Sequence, residues 1–241
     1  MRFRSAPKTL LALLAPLLLA IACAASPIPA ASAPMAIDPP SSPDWTRDMA
    51  RFAEDDAAHP PPRHPVVFTG SSSVRLWDTL ASDFAGVPVL NRGFGGSQMR
   101  DAVWYADQIA IRYQPERIVI YSGDNDISAG RTPQQVAADF RAFVARIRRA
   151  LPKTPIAFIA IKPSPSRASM LAAQREANAL VKADIAKMSH VEYIDVFTPM
   201  LDRDGQPRAE LFGEDRLHMN RKGYALWRRA VFPFVRPGAR P

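Results

Sequence analysis

Beyond residue 44 the chain alternates short, continuous apolar runs with longer stretches whose apolar residues recur every three or four positions. Continuous runs of this length predict strands buried on both faces, and the spaced pattern predicts amphipathic helices. Strands are expected at Val66 to Thr69, Val87 to Asn91, Arg117 to Tyr121, Ile156 to Ile161 and Val191 to Val196. Helices are expected at Trp45 to Ala57, Asp101 to Tyr113, Thr132 to about Leu151, Ala168 to Met188, and from Asn220 to about Ala230. Asp44 and Asn220 stand where N-caps belong, and Thr132-Pro133 has the favoured cap-then-proline order. Pro60-Pro61-Pro62 ends the first helix, and Pro88 lies near a strand start, where proline is best tolerated. Strands alternating with helices imply one α/β domain built on a buried parallel sheet, with no internal repeat. Ligands of such sheets sit beyond the C-terminal ends of the strands. Ser72, Gly96 and Asn125 all fall just past strand ends, so this topology gathers them on one rim.

The first 43 residues follow a different pattern. Arg2, Arg4 and Lys8 precede an apolar stretch from Thr9 to Ala22, and small residues follow. This is expected to be a secretory signal over residues 1–22, with a Pro/Ala/Ser-rich linker over 23–43 and the folded domain over 44–241. The apolar stretch is short for a membrane span. Cys23 is the only cysteine, so no internal disulfide forms. It directly follows Ala20-Ile21-Ala22, which resembles a lipoprotein cleavage site and competes with ordinary cleavage at a nearby alanine. Either route exports the protein, to the periplasm, the medium or the cell envelope. Lipid on Cys23 would be its one link to a membrane. The formal charge is +8. Basic residues cluster at Arg141 to Arg149 and Arg221 to Arg240 without a nucleic-acid motif, so they read as solvated faces and no nucleic-acid partner is expected.

Four separated segments carry chemistry. Gly70-Ser71-Ser72-Ser73 follows the first strand, where a serine could attack if a base took its proton. Taken alone, such serines more often cap helices, and three of them compete. Asn91-Arg92-Gly93-Phe94-Gly95-Gly96 could offer the Gly96 amide to a developing oxyanion, or be a plain strand-to-helix turn. Gly123-Asp124-Asn125-Asp126 could offer the Asn125 side-chain amide, or be a polar turn. In Asp215-Arg216-Leu217-His218 an aspartate could orient a histidine base, or merely cap the next helix. The other histidines, His59, His64 and His190, lie among prolines or before the fifth strand. The chain lacks His-Glu-x-x-His and any Cys/His cluster, so neither a metal nor a cofactor is expected.

Together the four segments resemble the blocks of the SGNH, or GDSL-type, hydrolases over about Val66 to Ala230. The resemblance implies a flavodoxin-like three-layer α/β/α sandwich with a central parallel sheet. It implies Ser72 as nucleophile, with Asp215 and His218 completing a triad. The Ser72 amide, the Gly96 amide and the Asn125 side chain would form the oxyanion hole. One departure stands out: Ser71 replaces the usual aspartate, which leaves Ser71 and Ser73 as fallback nucleophiles. Arg75 is open to a substrate contact or a structural ion pair, the second being the expectation.

The reading is an exported serine esterase working through an acyl-enzyme, on a small ester, an acetylated carbohydrate or a lipid. Short connections without a lid insertion favour acetyl and other short acyl groups. No Gly-x-Ser-x-Gly elbow surrounds these serines, which argues against an α/β-hydrolase. Gln98 stands where a dinucleotide fingerprint needs glycine. The competing reading is a catalytically inactive carbohydrate- or lipid-binding module using the same cleft.

Overall fold

The computed structural model describes Met1 and residues 38–236; the rest of the expected signal segment, and Cys23, lie outside the described residues. Five strands form the sheet: β1 Val66–Gly70, β2 Val89–Gly93, β3 Arg117–Tyr121, β4 Ile156–Ile159 and β5 Val191–Ile194. All pairings are parallel, in the order β2-β1-β3-β4-β5. The chain moves outward from β1 to β2, then returns past β1 to β3. The crevice at that reversal, beyond the ends of β1 and β3, is where ligands of such sheets bind.

The helices are α1 Trp45–Ala58, α2 Ser72–Arg75, α3 Leu80–Asp83, α4 Met99–Trp104, α5 Ala106–Ile109, α6 Asp124–Ser128, α7 Pro133–Ala150, α8 Leu171–Ile185 and α9 Arg221–Val235. Period-two alternation along β3 divides the core into two layers. Ile118 and Ile120 pack with Phe52 of α1, Ile109 of α5, Phe140 and Phe143 of α7 and Val181 of α8. Val119 and Tyr121 face Val74 of α2, Leu80 of α3, and Trp227 and Phe232 of α9. The result is the expected three-layer α/β/α sandwich. Trp77, 1% exposed, meets Phe68, Phe84, Tyr224 and Trp227 with ring centroids 5.4–6.0 Å apart. Burial of a ring this size accounts for about 3–5 kcal/mol on truncation to alanine. It anchors the chain five residues past Ser72.

Boundaries differ from expectation where tertiary contacts override local pattern. β2 starts after Pro88, whose carbonyl accepts from Val66 N at 2.8 Å, and runs on to Gly93. The stretch from Asp101 to Tyr113 is α4, α5 and a 3-10 turn rather than one helix, with breaks at Tyr105 and Ala110. The breaks let the Tyr105 ring meet Phe94 edge-on and the Tyr113 hydroxyl donate to Asp56 at 2.7 Å. A 3-10 turn, Pro165–Met170, precedes α8. Thr132 and Asn220 cap as expected. Asp44 does not: its backbone is already helical and its carboxylate pairs with Arg47. Residues before it are also tied down, since Ser41 Oγ donates to Asp101 at 2.6 Å and Asp38 pairs with Arg131 at 3.0 Å.

Candidate active site

β1 ends at Gly70, whose φ of +114° suits glycine alone; a Cβ there would fall 1.9 Å from the Tyr121 carbonyl oxygen. This close approach lets Ser71 N donate to Tyr121 O at 3.0 Å and turns the chain into α2. Ser71 and Ser73 are each 2% exposed and point into the fold. The Ser71 carbonyl accepts from the amides of Val74 and Arg75, so backbone bonds make the turn without a carboxylate at position 71. Ser72 is half-buried, with Oγ 2.9 Å from His218 Nε2. Of the three competing serines, Ser72 is the one brought to the histidine.

His218 Nδ1 lies 2.6 Å from Asp215 Oδ2. The other carboxylate oxygen accepts from the amides of Leu217 and His218, both at 2.9 Å. Arg216 sits between them at φ +56°, a left-handed conformation that costs a side-chain-bearing residue roughly 1–2 kcal/mol. The Leu217 amide first, then the amide and ring of His218, hold the Asp215 carboxyl down to about 2. An ionised carboxylate only accepts, so Nδ1 carries the ring proton. Nε2 is then free to accept the Ser72 hydroxyl proton.

On the other side of Ser72, β2 leads to Gly96, at φ +89°, and β3 leads to Asn125 in the first turn of α6. Among the described residues neither the Ser72 nor the Gly96 amide donates to a protein acceptor. Asn125 Nδ2 donates one hydrogen to Ser97 O at 3.0 Å, and the second is uncommitted. Ser72, Gly96, Asn125 and His218 line one cleft of about 430 Å³ with Asp48, Arg51, Arg75, Gly95 and Leu217. All five residues expected from sequence are thus brought to one place, Asp215 from behind His218. A neighbouring hollow of about 360 Å³ shares Arg51 and Arg75 but holds none of these five.

Three charged residues next to the site were not anticipated. Arg167, from the Pro165–Met170 turn, donates from Nη2 to Asn125 Oδ1 at 3.1 Å. Its Nη1 is 2.8 Å from Asp124 Oδ2, which also pairs with Lys162 Nζ at 3.2 Å. Burial pushes the Asp124 carboxyl up, but the two cations outweigh it and the net shift is downward. Burial lowers the Lys162 ammonium. The only sequence signal was Lys162 and Arg167 in a Pro/Ser-rich stretch just past a strand end. Arg75 corrects an expectation: among the described residues it has no carboxylate partner and donates no side-chain hydrogen bond. Its guanidinium lies over Gly95, where a Cβ would sit 2.6 Å from Nε. Among the described residues no group of three or more His, Cys, Asp or Glu side chains could hold a metal ion.

Residues 67–226, which carry all four segments, match the model of the GDSL-like lipase/acylhydrolase family. The chain belongs to that family. It is by that membership a hydrolase of ester bonds. No curated protein matches it in sequence. Among solved structures, a GDSL-like lipase from Bacteroides thetaiotaomicron is 18% identical, with a TM-score of 0.66 over 78% of this chain and 96% of that one. A protein from Bacteroides fragilis described as an acylhydrolase is 20% identical, with a TM-score of 0.70 over 80% and 98%. A carbohydrate esterase family 3 member from Talaromyces cellulolyticus is 16% identical, with a TM-score of 0.52 over 71% and 95%. These likenesses are of fold, and the GDSL membership rests on the sequence match.

Proposed function

We propose that this GDSL hydrolase cleaves short acyl esters, acetyl above all, from a polar alcohol such as a carbohydrate, through Ser72, His218 and Asp215. The observation that carries the reading is the unbroken line Asp215–His218–Ser72, at 2.6 and 2.9 Å, with Gly96 and Asn125 lining the same cleft. Ser72 Oγ attacks the carbonyl carbon as His218 Nε2 takes its proton. The carbonyl oxygen becomes an anion held by the Ser72 and Gly96 amides and the free Asn125 hydrogen. His218 returns the proton to the leaving alcohol, and an acyl-Ser72 ester remains. Water then attacks that ester as His218 deprotonates it, and the acid leaves with the serine hydroxyl restored. Asp215 keeps the ring in the required tautomer and steadies the imidazolium.

The lining of the cleft supports a short acyl group. Among the described residues Leu217 is its one aliphatic side chain, beside Asp48, Arg51 and Arg75. A long acyl chain would bury its methylenes against charge, forgoing about 0.8 kcal/mol each. A hydroxyl-rich alcohol meets donors and acceptors there instead. The likeness to a carbohydrate esterase of Talaromyces cellulolyticus is in keeping with this choice. Export through the N-terminal signal, with or without lipid on Cys23, would give such an enzyme access to envelope or external polysaccharide.

The test is hydrolysis of p-nitrophenyl esters from acetate to palmitate by the purified protein, beside Ser72→Ala and His218→Ala. Acetate should be the fastest substrate, and each substitution should lower kcat by about 10⁶-fold. Turnover surviving Ser72→Ala would discard the assignment, and faster palmitate than acetate would discard the short-acyl preference.

A further inference from the structure

Asn125 differs from the two backbone donors beside it. A main-chain N–H is fixed by the chain, whereas a side-chain amide can turn over and exchange its NH₂ for its oxygen. Here two contacts prevent that. Ser97 O accepts one Nδ2 hydrogen at 3.0 Å, and Arg167 Nη2 donates to Oδ1 at 3.1 Å. A turned amide would set NH₂ against a guanidinium and oxygen against a carbonyl, losing both bonds. A charged donor on Oδ1 also draws electron density through the amide, making Nδ2–H a better donor.

Arg167 is itself held. Its side chain is 14% exposed, with Nη1 2.8 Å from Asp124 Oδ2. Gln174 Nε2 donates to the other Asp124 oxygen at 3.0 Å, and Lys162 Nζ lies 3.2 Å from Oδ2. Lys162 is 1% exposed and stands 5.9 Å from the ring centroids of both Tyr121 and Phe212. Two cations therefore share the Asp124 carboxylate, and one of them, Arg167, also bonds the amide oxygen of Asn125. Buried charge is costly to keep, and apolar side chains could tie β3 to the turn after β4 at less expense. Its placement against a group that would face a developing anion gives the expense a use.

We propose that Arg167 is a positioning residue for the oxyanion hole: it locks the Asn125 amide and strengthens it as a donor, while Asp124, Lys162 and Gln174 hold the guanidinium. This rests on the ester-hydrolysis reading above. The test compares kcat and KM on p-nitrophenyl acetate for the wild type, Arg167→Met, Asn125→Ala and the double variant. Arg167→Met should lower kcat about 10- to 100-fold, less than the loss of a whole donor, with KM unchanged within about two-fold. In the Asn125→Ala background the same change should cost nothing further, because its target is gone. Arg167→Lys keeps a charge beside Asp124 and carries the same test should methionine prevent folding. One ammonium cannot serve Asp124 and Asn125 together, so kcat should fall about ten-fold.

A kcat within two-fold of wild type in both Arg167 variants would overturn the proposal. So would equal fold losses with and without Asn125, which is the mark of a merely structural tie. Those outcomes leave the enzyme active and are distinct from a wild type that hydrolyses no ester, which removes the underlying reading and this proposal with it.

Discussion

The two sides of Ser72 are built by opposite means. On one side Asp215 and His218 come from a loop, with side chains 52% and 30% exposed, held mostly by backbone amides of the same loop. On the other side Asn125 is backed by Asp124, Lys162 and Arg167, at 5%, 1% and 14% exposure, drawn from the segments that follow β3 and β4. Under the mechanism proposed above, the difference follows from the task of each side. A base must gain and lose a proton and admit water, so it tolerates solvent and needs only a fixed tautomer. An anion-stabilising donor gains from being aimed before the reaction and kept from water, where its dipole is worth more.

The contrast can be broken most sharply at Asp215. Asp215→Asn should lower kcat about 10⁴-fold by permitting the wrong tautomer, while the melting temperature changes little for so exposed a group. The measurement is kcat on a short-chain ester beside a thermal melt; a loss of less than ten-fold would place the orienting role elsewhere. On the buried side, Asn125→Ala should lower kcat about 10²- to 10³-fold, the value of one oxyanion donor. It should leave KM nearly unchanged, and a rise in KM at constant kcat would make Asn125 a ground-state binder instead.

The smallest effect is on stability. Asp126, next to Asn125, is 0% exposed and accepts from Met99 N with both oxygens at 3.0 Å. Burial pushes its carboxyl up to about 7. Folding then takes up a proton between the ordinary carboxyl value near ~4 and that raised value. Asp126's own contribution to stability is therefore fullest below about 4 and is lost as pH rises toward 7. Asp126→Asn should flatten the melting temperature across that window. An unchanged slope would show that Asp126 is ionised throughout.

Much of the reactive geometry was legible because its residues are tied to chain landmarks. Ser72, Gly96 and Asn125 each follow a strand, and parallel strands end on one rim. Asp215 and His218 are close in sequence and reach each other within one loop. Arg167 and Lys162 were not legible, because their role depends on β4 lying beside β3 and on a carboxylate 38 residues from Lys162. Nothing in a proline- and serine-rich stretch announces such a partner. Arg75 failed for the converse reason: an arginine one turn after Ser72 suggests an ion pair, but the nearest surface is the glycine backbone at Gly95. The single helix expected from Asp101 to Tyr113 failed because spacing reports which residues are buried, and not whether the backbone breaks to bury them.

The family match starts at residue 67, yet part of the cleft wall comes from earlier in the chain. Asp48 and Arg51 of α1 line the cleft, and Trp45 stands 3.3 Å from where a Gly96 Cβ would be. The residues proposed to break the bond and this part of the rim therefore occupy separate stretches of the gene. If the cleft binds the alcohol as proposed, substitutions at Asp48 or Arg51 should change which alcohol is accepted while the reactive segments stay untouched.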